Sequence, residues 1–160
     1  MKRKGFTLIE LIIVIAIIAL LAAATFVAVD PAKRIGEARD AQRWQDITAI
    51  ADAYMKYVVD NTGSYVTSTT DAVTYWISAA DYASGGVETA PTCTASTGIS
   101  AAIDLHGLIS AGYIGDVPDD PGGVDNDGTD YYFYKDGNNK VIIGACEKYS
   151  GTTNYPTVTR

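Results

Sequence analysis

Hydrophobic residues are concentrated in one run near the start of the chain. From Phe6 to Val29 the sequence is almost wholly apolar, and its polar side chains are Thr7, Glu10 and Thr25. Glu10 is the one charged residue of this run. As an α-helix, these 24 residues would rise about 36 Å, which exceeds the roughly 30 Å thickness of a hydrocarbon core. The run therefore predicts a membrane-spanning helix.

A second pattern follows, with apolar residues at the three- and four-residue steps of one helix face. Its members are Ile35, Ala38, Trp44, Ile47, Ala51, Tyr54 and Val58. Charged residues, including Asp40 and Arg43, fall between them. Residues 30–60 are therefore predicted to form an amphipathic helix whose apolar stripe faces a globular head. Asp30-Pro31 either begins this helix, as N-cap and first position, or kinks one longer helix.

Residues 61–160 predict the head. The runs Tyr131–Lys135 and Lys140–Cys146 are rich in aromatic and β-branched residues and flank a glycine-containing turn, which is typical of an antiparallel hairpin. Weaker patterns predict a turn at 60–63, a strand or helical turn at 73–77, a helix at 99–111 capped by Gly112, and an edge strand at 155–159. The fold class expected is α+β, a ladle in which a long N-terminal helix packs on a small antiparallel sheet.

Charge is distributed unevenly along the chain. The formal net charge is −7, yet Lys2, Arg3 and Lys4 form a basic tip. Between Asn61 and Tyr134 there are ten acidic residues and no Lys or Arg. A surface this acidic repels phosphate backbones, so the head is not expected to bind nucleic acid. The basic tip should stay in the cytoplasm, which places the head on the other side of the membrane.

Two cysteines, Cys93 and Cys146, are present. They are too few for a structural zinc site and fit one disulfide in an exported protein. The alternative is a pair of buried thiols. We expect the disulfide.

The residues around Glu10 resemble a known processing signal. Gly5-Phe6-Thr7-Leu8-Ile9-Glu10 follows Lys-Arg-Lys and leads into an uninterrupted apolar helix. This arrangement is similar to the type III signal of type IV pilins and type II secretion pseudopilins. The resemblance implies that a membrane aspartyl peptidase, the prepilin peptidase, cuts after Gly5 and methylates Phe6. It also implies that Glu10 pairs with a terminal amine during assembly.

The same resemblance implies the domain organisation and the partners. Residues 1–5 would be the leader, 6–29 the transmembrane and assembly helix, 30–60 its amphipathic continuation, and 61–160 the head. The expected partners are copies of the chain or other pilins, the prepilin peptidase and the inner-membrane assembly machinery. The subunit would wait in the cytoplasmic membrane and then enter an extracytoplasmic fibre.

Two other interpretations of the N-terminus stay open. An ordinary secretory signal peptide fits the apolar stretch 11–24 and the potential cleavage site Ala22-Ala23-Ala24, which would yield an exported binding module starting near Thr25. A carboxylate just before that stretch is atypical of such peptides. A plain single-pass anchor is the other alternative. Within the resembling family, a long surface pilus and a short secretion pseudopilus are both compatible with the sequence.

An acidic segment in the head is the remaining candidate site. Six aspartates lie within residues 116–130, and hard cations such as Ca²⁺ prefer carboxylate ligands. No cofactor is required by the expected function, but calcium held by Asp125, Asp127 and Asp130 is a hypothesis, with a solvated turn as the alternative. His106 is the single histidine, and no nucleophile–base pair or phosphate-binding loop is evident. The sequence therefore predicts a structural protein without catalytic residues.

Overall fold

The protein is described by a computed structural model, which places residues 5–65, 69–78, 93, 95, 99, 101–123 and 128–160. Contacts divide the chain into two compact units, Met1–Gly36 and Glu37–Arg160. The predicted leader, spanning helix, continuation and head stay predictions, because compactness does not report where a membrane lies.

Two helices begin the chain, α1 over Leu8–Val29 and α2 over Pro31–Asp60. Asp30 separates them. Its backbone is left-handed (φ 44°), and its carboxylate accepts a hydrogen bond from the Lys33 amide at 3.3 Å. Asp30 is thus the N-cap of α2, and Pro31 occupies the first position, where a missing amide costs nothing. The structure is compatible with both interpretations of Asp30-Pro31, because α2 starts at Pro31 within one helical stretch from Leu8 to Asp60 that is interrupted at Asp30.

One face of α2 supplies part of the hydrophobic core. Ile47, Ile50 and Tyr54 are completely buried, and the Tyr54 ring lies 5.0 Å from the ring of Phe133. The predicted stripe is therefore right for Ile47, Ala51 and Tyr54. It is wrong for Ile35, Ala38 and Trp44, whose side chains are exposed.

Within the part of the chain that the structure describes, five strands form one sheet in the order β2-β1-β3-β4-β5. Their bounds are β1 Thr74–Ser78, β2 Ala101–Ile103, β3 Gly128–Lys135, β4 Val141–Ala145 and β5 Thr157–Thr159. The predicted hairpin is confirmed as β3–β4, with Phe133 opposite Ile143. The predicted edge strand is confirmed as β5, which begins just after Pro156. A helix followed by a sheet confirms the α+β class.

Two details of the sheet differ from expectation. Strands β1 and β2 run parallel, so the sheet is mixed rather than wholly antiparallel. The helix predicted over 99–111 is wrong in its first half, where Ala101–Ile103 forms β2. Only His106–Ser110 is helical (α3), and Gly112 follows it with the positive φ (77°) expected of a cap. Pairing with β1 overrides the helix preference of the two alanines.

A close approach between neighbouring strands depends on a glycine. Gly144 in β4 lies opposite Tyr132 in β3. A Cβ added to Gly144 would lie 2.5 Å from Cζ of the Tyr132 ring, far inside contact distance. The absence of a side chain at position 144 is therefore what lets the ring lie across the sheet there.

Candidate processing and assembly site at the N-terminus

The proposed cleavage position lies in an open stretch of backbone. Gly5, Phe6 and Thr7 precede α1 and belong to no helix or strand. The Phe6 side chain is 88% exposed, and a Cβ placed on Gly5 would meet no atom within 4 Å. A peptide bond in such a segment can enter a protease active site without any helix having to unfold.

Thr7 and Glu10 bond to each other across the first turn of α1. The Glu10 carboxylate oxygen Oε2 accepts the Thr7 amide at 2.8 Å and the Thr7 hydroxyl at 2.7 Å. Thr7 Oγ1 in turn accepts the Glu10 amide at 3.3 Å. This is a capping box, which satisfies backbone donors that a helix start leaves open. It also holds the carboxylate at the positive end of the helix dipole.

Thr7 is a further residue of this site that the sequence expectations did not include. The signal was present, since Thr-x-x-Glu ahead of an apolar run is the sequence pattern of a capping box. Glu10 stands out in the sequence as the one charge of the apolar run, whereas its local partner Thr7 carries no charge and is less conspicuous. The side chain predicted to need a counter-charge thus already has two hydrogen bonds.

Beyond the cap, α1 presents apolar side chains on every side. None of its residues is buried, and Leu8, Leu20 and Phe26 are each about 70% exposed or more. The helical stretch beginning at Leu8 is the one among the described residues that is long and apolar enough to cross a membrane. Such a surface needs lipid or other apolar helices around it.

In the unit Glu37–Arg160, three charged residues that the sequence did not single out form a buried cluster, called here the Arg43 cluster: Asp40, Arg43 and Asp120. Arg43 Nε and Nη2 donate to the two oxygens of Asp120 at 2.5 and 2.7 Å, and Nη1 donates to Asp40 at 2.8 Å. The exposed fractions of Asp40, Arg43 and Asp120 are 7%, 4% and 6%. The hydrogen bonds that Arg43 donates to Asp120 raise the pKa of Arg43 above its usual range.

The Arg43 cluster connects α2 to two loops. Asp120 accepts the amide of Gly122 at 2.6 Å, which fixes the loop before β3. Asp40 accepts the amide of Tyr149 at 2.9 Å and the hydroxyl of Thr152 at 3.0 Å, which fixes the loop after β4. The Arg43 cluster therefore holds these two loops against α2.

A second polar contact links α2 to β3. The Tyr131 hydroxyl donates to Asp46 at 2.9 Å. Burial raises the pKa of Asp46, and the hydrogen bond from Tyr131 partly offsets that increase. The pKa of the Tyr131 hydroxyl is raised mainly by burial and, to a smaller extent, by its hydrogen bond to Asp46.

The predicted calcium ligands are only partly placed. Asp125 and Asp127 lie outside the described residues. Asp130 is 9% exposed, and its backbone carbonyl accepts the Cys146 amide at 2.9 Å. Within the described ranges no three His, Cys, Asp or Glu side chains are grouped to hold a metal ion. Calcium stays a prediction, and Asp120 of the same acidic segment is bonded to Arg43.

Cys93 and Cys146 form a disulfide, as predicted, with their Cα atoms 4.5 Å apart. Cys146 directly follows β4 and is 1% exposed. The bond therefore attaches the middle of the chain to the end of a central hairpin. Among the described residues no cysteine is free.

Comparison with known proteins gives one match. A family model described as the prokaryotic N-terminal methylation motif covers residues 1–26. No curated protein and no solved structure matches the chain. The matched segment contains Gly5, the capping box and most of α1, and a motif of this type indicates a structural subunit. Residues 1–26 therefore carry the prepilin signal that type IV pilins and pseudopilins share.

Proposed function

We propose that this chain is a structural subunit of a type IV pilus-like fibre. The prepilin peptidase cuts between Gly5 and Phe6 and methylates the new amine. The helix α1 then anchors the subunit in the cytoplasmic membrane with its head outside, and the inner-membrane assembly machinery moves it into a fibre of copies or related pilins. The observation that supports this proposal is the matched motif, since cleavage after Gly5 would make the capped carboxylate of Glu10 the fifth residue of the processed chain.

Glu10 has a specific chemical role in this proposal. Cleavage creates a positive α-amine on Phe6, next to the Thr7 amide that already donates to Glu10. Methylation keeps that nitrogen basic, so it remains a cation. In a bundle of apolar helices, a carboxylate and an amine are each costly alone and much less costly together. The pairing of Glu10 with a Phe6 amine, on the same or a neighbouring subunit, therefore sets the register of assembly.

The apolar surface of α1 explains why assembly is energetically feasible. In the membrane, lipid surrounds it, and in the fibre other helices do. Because both environments exclude water, the hydrophobic effect opposes the transfer very little. Packing between helices and the charge pair at Glu10 then decide whether the subunit stays in the bilayer or in the fibre.

A secretion pseudopilus subunit is the second candidate. The acidic segment at 116–130 favours it, because major pseudopilins bind calcium in a comparable loop, whereas the Thr-rich insert before it favours a surface pilus. Electron microscopy of host cells distinguishes the two, since long surface fibres containing this chain support the pilus and their absence supports the pseudopilus.

The mass of the mature N-terminal peptide from the native host tests the proposal. We expect it to start at Phe6 and to carry one extra methyl group. A start near Thr25 would instead identify an exported protein with an ordinary signal peptide, and an intact Met1 would identify an uncleaved anchor. Either of these results would refute the proposal.

A further inference from the structure

The outer face of α2 has an unusual distribution of charge. Between residues 38 and 49 the exposed side chains are Ala38, Arg39, Ala41, Gln42, Trp44, Gln45 and Ala49. Arg39 is the one charge among them. The other charged residues of this stretch turn away from solvent, because Asp40 and Arg43 are buried in the Arg43 cluster and Asp46 is half-buried against Tyr131.

This distribution is inverted relative to a helix that faces water. Such a helix places its charged residues outward and its apolar residues inward. Here a tryptophan is 45% exposed while the guanidinium group one residue before it is 4% exposed. By helical periodicity, Ala38, Gln42, Gln45 and Ala49 lie along one line, with Trp44 at one edge and Arg39 at the other.

From these observations we propose that residues 38–49 of α2, called here the Trp44 face, are a contact surface for a second copy of this chain in the fibre. The inference rests on the proposed function and adds to it a contact made by the head. Small side chains at the centre of the face let another backbone approach closely. At the edge of this line, Trp44 offers a large, rigid anchor of a residue type that is enriched at protein interfaces.

Charge complementarity identifies the occupant as another copy. The charge on the Trp44 face is positive, from Arg39, whereas the chain has a formal charge of −7 and carries ten acids and no base between residues 61 and 134. Asp104, Asp116 and Asp119 are exposed members of this acidic stretch, and they give the next subunit an acidic surface that complements Arg39. The Trp44 face of one subunit then contacts a different surface, the acidic one, of the next subunit. Such a head-to-tail contact propagates as a fibre instead of closing as a dimer.

Substitution of Trp44 provides the first test. Trp44→Glu places a charge on the Trp44 face, and we expect fibre yield from host cells to fall at least about tenfold. Val59→Glu is the matched control, because Val59 is an exposed apolar residue of the same helix, 73% exposed but outside the face. Its fibre yield should stay near that of the unsubstituted chain. Both variants should be cleaved at Phe6 and melt at unchanged temperature, since neither side chain lies in the core.

Acrylamide quenching of tryptophan fluorescence provides the second test and requires no substitution. The chain has two tryptophans, of which Trp76 is 2% exposed and Trp44 is 45% exposed. The quenchable fraction should be large in the detergent-solubilised mature subunit and in subunits held in lipid vesicles, and it should fall sharply in purified fibres. Protection that is already complete in vesicles would assign the Trp44 face to the lipid surface and overturn the inference.

The outcomes separate this inference from the proposed function. Fibres that form normally from Trp44→Glu, or in which Trp44 remains quenchable, refute the contact while leaving the pilus proposal intact. If the unsubstituted chain is not cleaved at Phe6 and makes no fibre, the proposed function fails, and the inference fails with it.

Discussion

At the scale of single residues, Glu10 combines a local and an expected long-range role. It caps α1 through two hydrogen bonds from Thr7, and in the proposed fibre it neutralises the amine of Phe6. The two roles depend on different properties of the side chain. The cap needs a hydrogen-bond acceptor, whereas the amine needs a negative charge.

Substitutions can distinguish these properties. Glu10→Gln keeps an acceptor for Thr7 but removes the charge, and Glu10→Ala removes both. We expect both variants to be processed at Phe6. Their fibre yield should fall at least about tenfold, because an amine left unpaired among packed helices costs a few kcal/mol. Mass spectrometry of the N-terminus and quantification of sheared fibres measure the two effects separately.

Thr7→Ala is the control for the cap. It removes the hydroxyl but keeps the charge of Glu10, and it should weaken the helix start by about 1 kcal/mol while fibres still form. Normal fibres from Glu10→Gln, together with failure of Thr7→Ala, would show that capping and not charge controls assembly.

A buried tyrosine offers a second prediction at this scale. Tyr54 is 0% exposed, and its hydroxyl has no hydrogen-bond partner among the described residues. We expect Tyr54→Phe to leave the free energy of unfolding unchanged or to raise it by up to about 1 kcal/mol, since it removes an unsatisfied polar atom. Tyr131→Phe is the matched control, because it takes a donor from Asp46 and should lower stability by about 1–3 kcal/mol. Thermal unfolding of the mature chain in detergent would show equal losses if Tyr54 had a partner.

At the scale of elements, α2 determines how the head is organised. Its apolar face contributes to the core, and the Arg43 cluster on the same helix attaches the loops around Gly122 and Tyr149. The helix therefore positions loops that are distant from it in sequence. The arrangement depends on one guanidinium group that satisfies two buried carboxylates.

Removing that group should be costly. Arg43→Met would leave Asp40 and Asp120 buried without their cation, and we expect the head to lose about 3–5 kcal/mol of stability. Arg39→Met, at an exposed position four residues earlier on the same helix, should change stability by no more than about 0.5 kcal/mol. Melting temperature and the protease sensitivity of the loop before β3 report the difference. Equal stability of the two variants would mean that the cluster contributes little.

The elements differ in how far the sequence could predict them. Caps and turns depend on a few adjacent residues, so the start of α2 at Pro31, its end at Asp60 and the β3–β4 hairpin were predictable. The strand β2 was not, because Ala101–Ile103 is extended only through its pairing with β1. The burial of Arg43 was not predictable either, since its partner Asp120 is 77 residues away.

At the scale of the whole molecule, one covalent link joins the middle of the chain to the sheet. The cysteines of the disulfide are 53 residues apart in sequence, and the enclosed segment includes β2, α3, β3 and β4. A cross-link over such a segment reduces the conformational freedom of the unfolded chain. The sequence predicted this bond because two cysteines are too few for a structural zinc site and fit one disulfide in an exported protein.

Removal of the disulfide should therefore destabilise the head. For a loop of this length, replacing both Cys93 and Cys146 by Ser should cost about 4 kcal/mol. Reductant should lower the melting temperature of the unsubstituted chain to that of the double variant and should not affect the variant. If alkylation without reductant adds two labels to protein from the host, the bond does not form in the cell.

The contact between Gly144 and the ring of Tyr132 restricts how this sequence can change over evolutionary time. Any side chain at position 144 would collide with the ring, whereas a smaller residue at position 132 would leave a gap over the glycine. A substitution at position 144 alone would therefore force the Tyr132 ring to move. We expect the residues at positions 132 and 144 to covary among relatives of this chain.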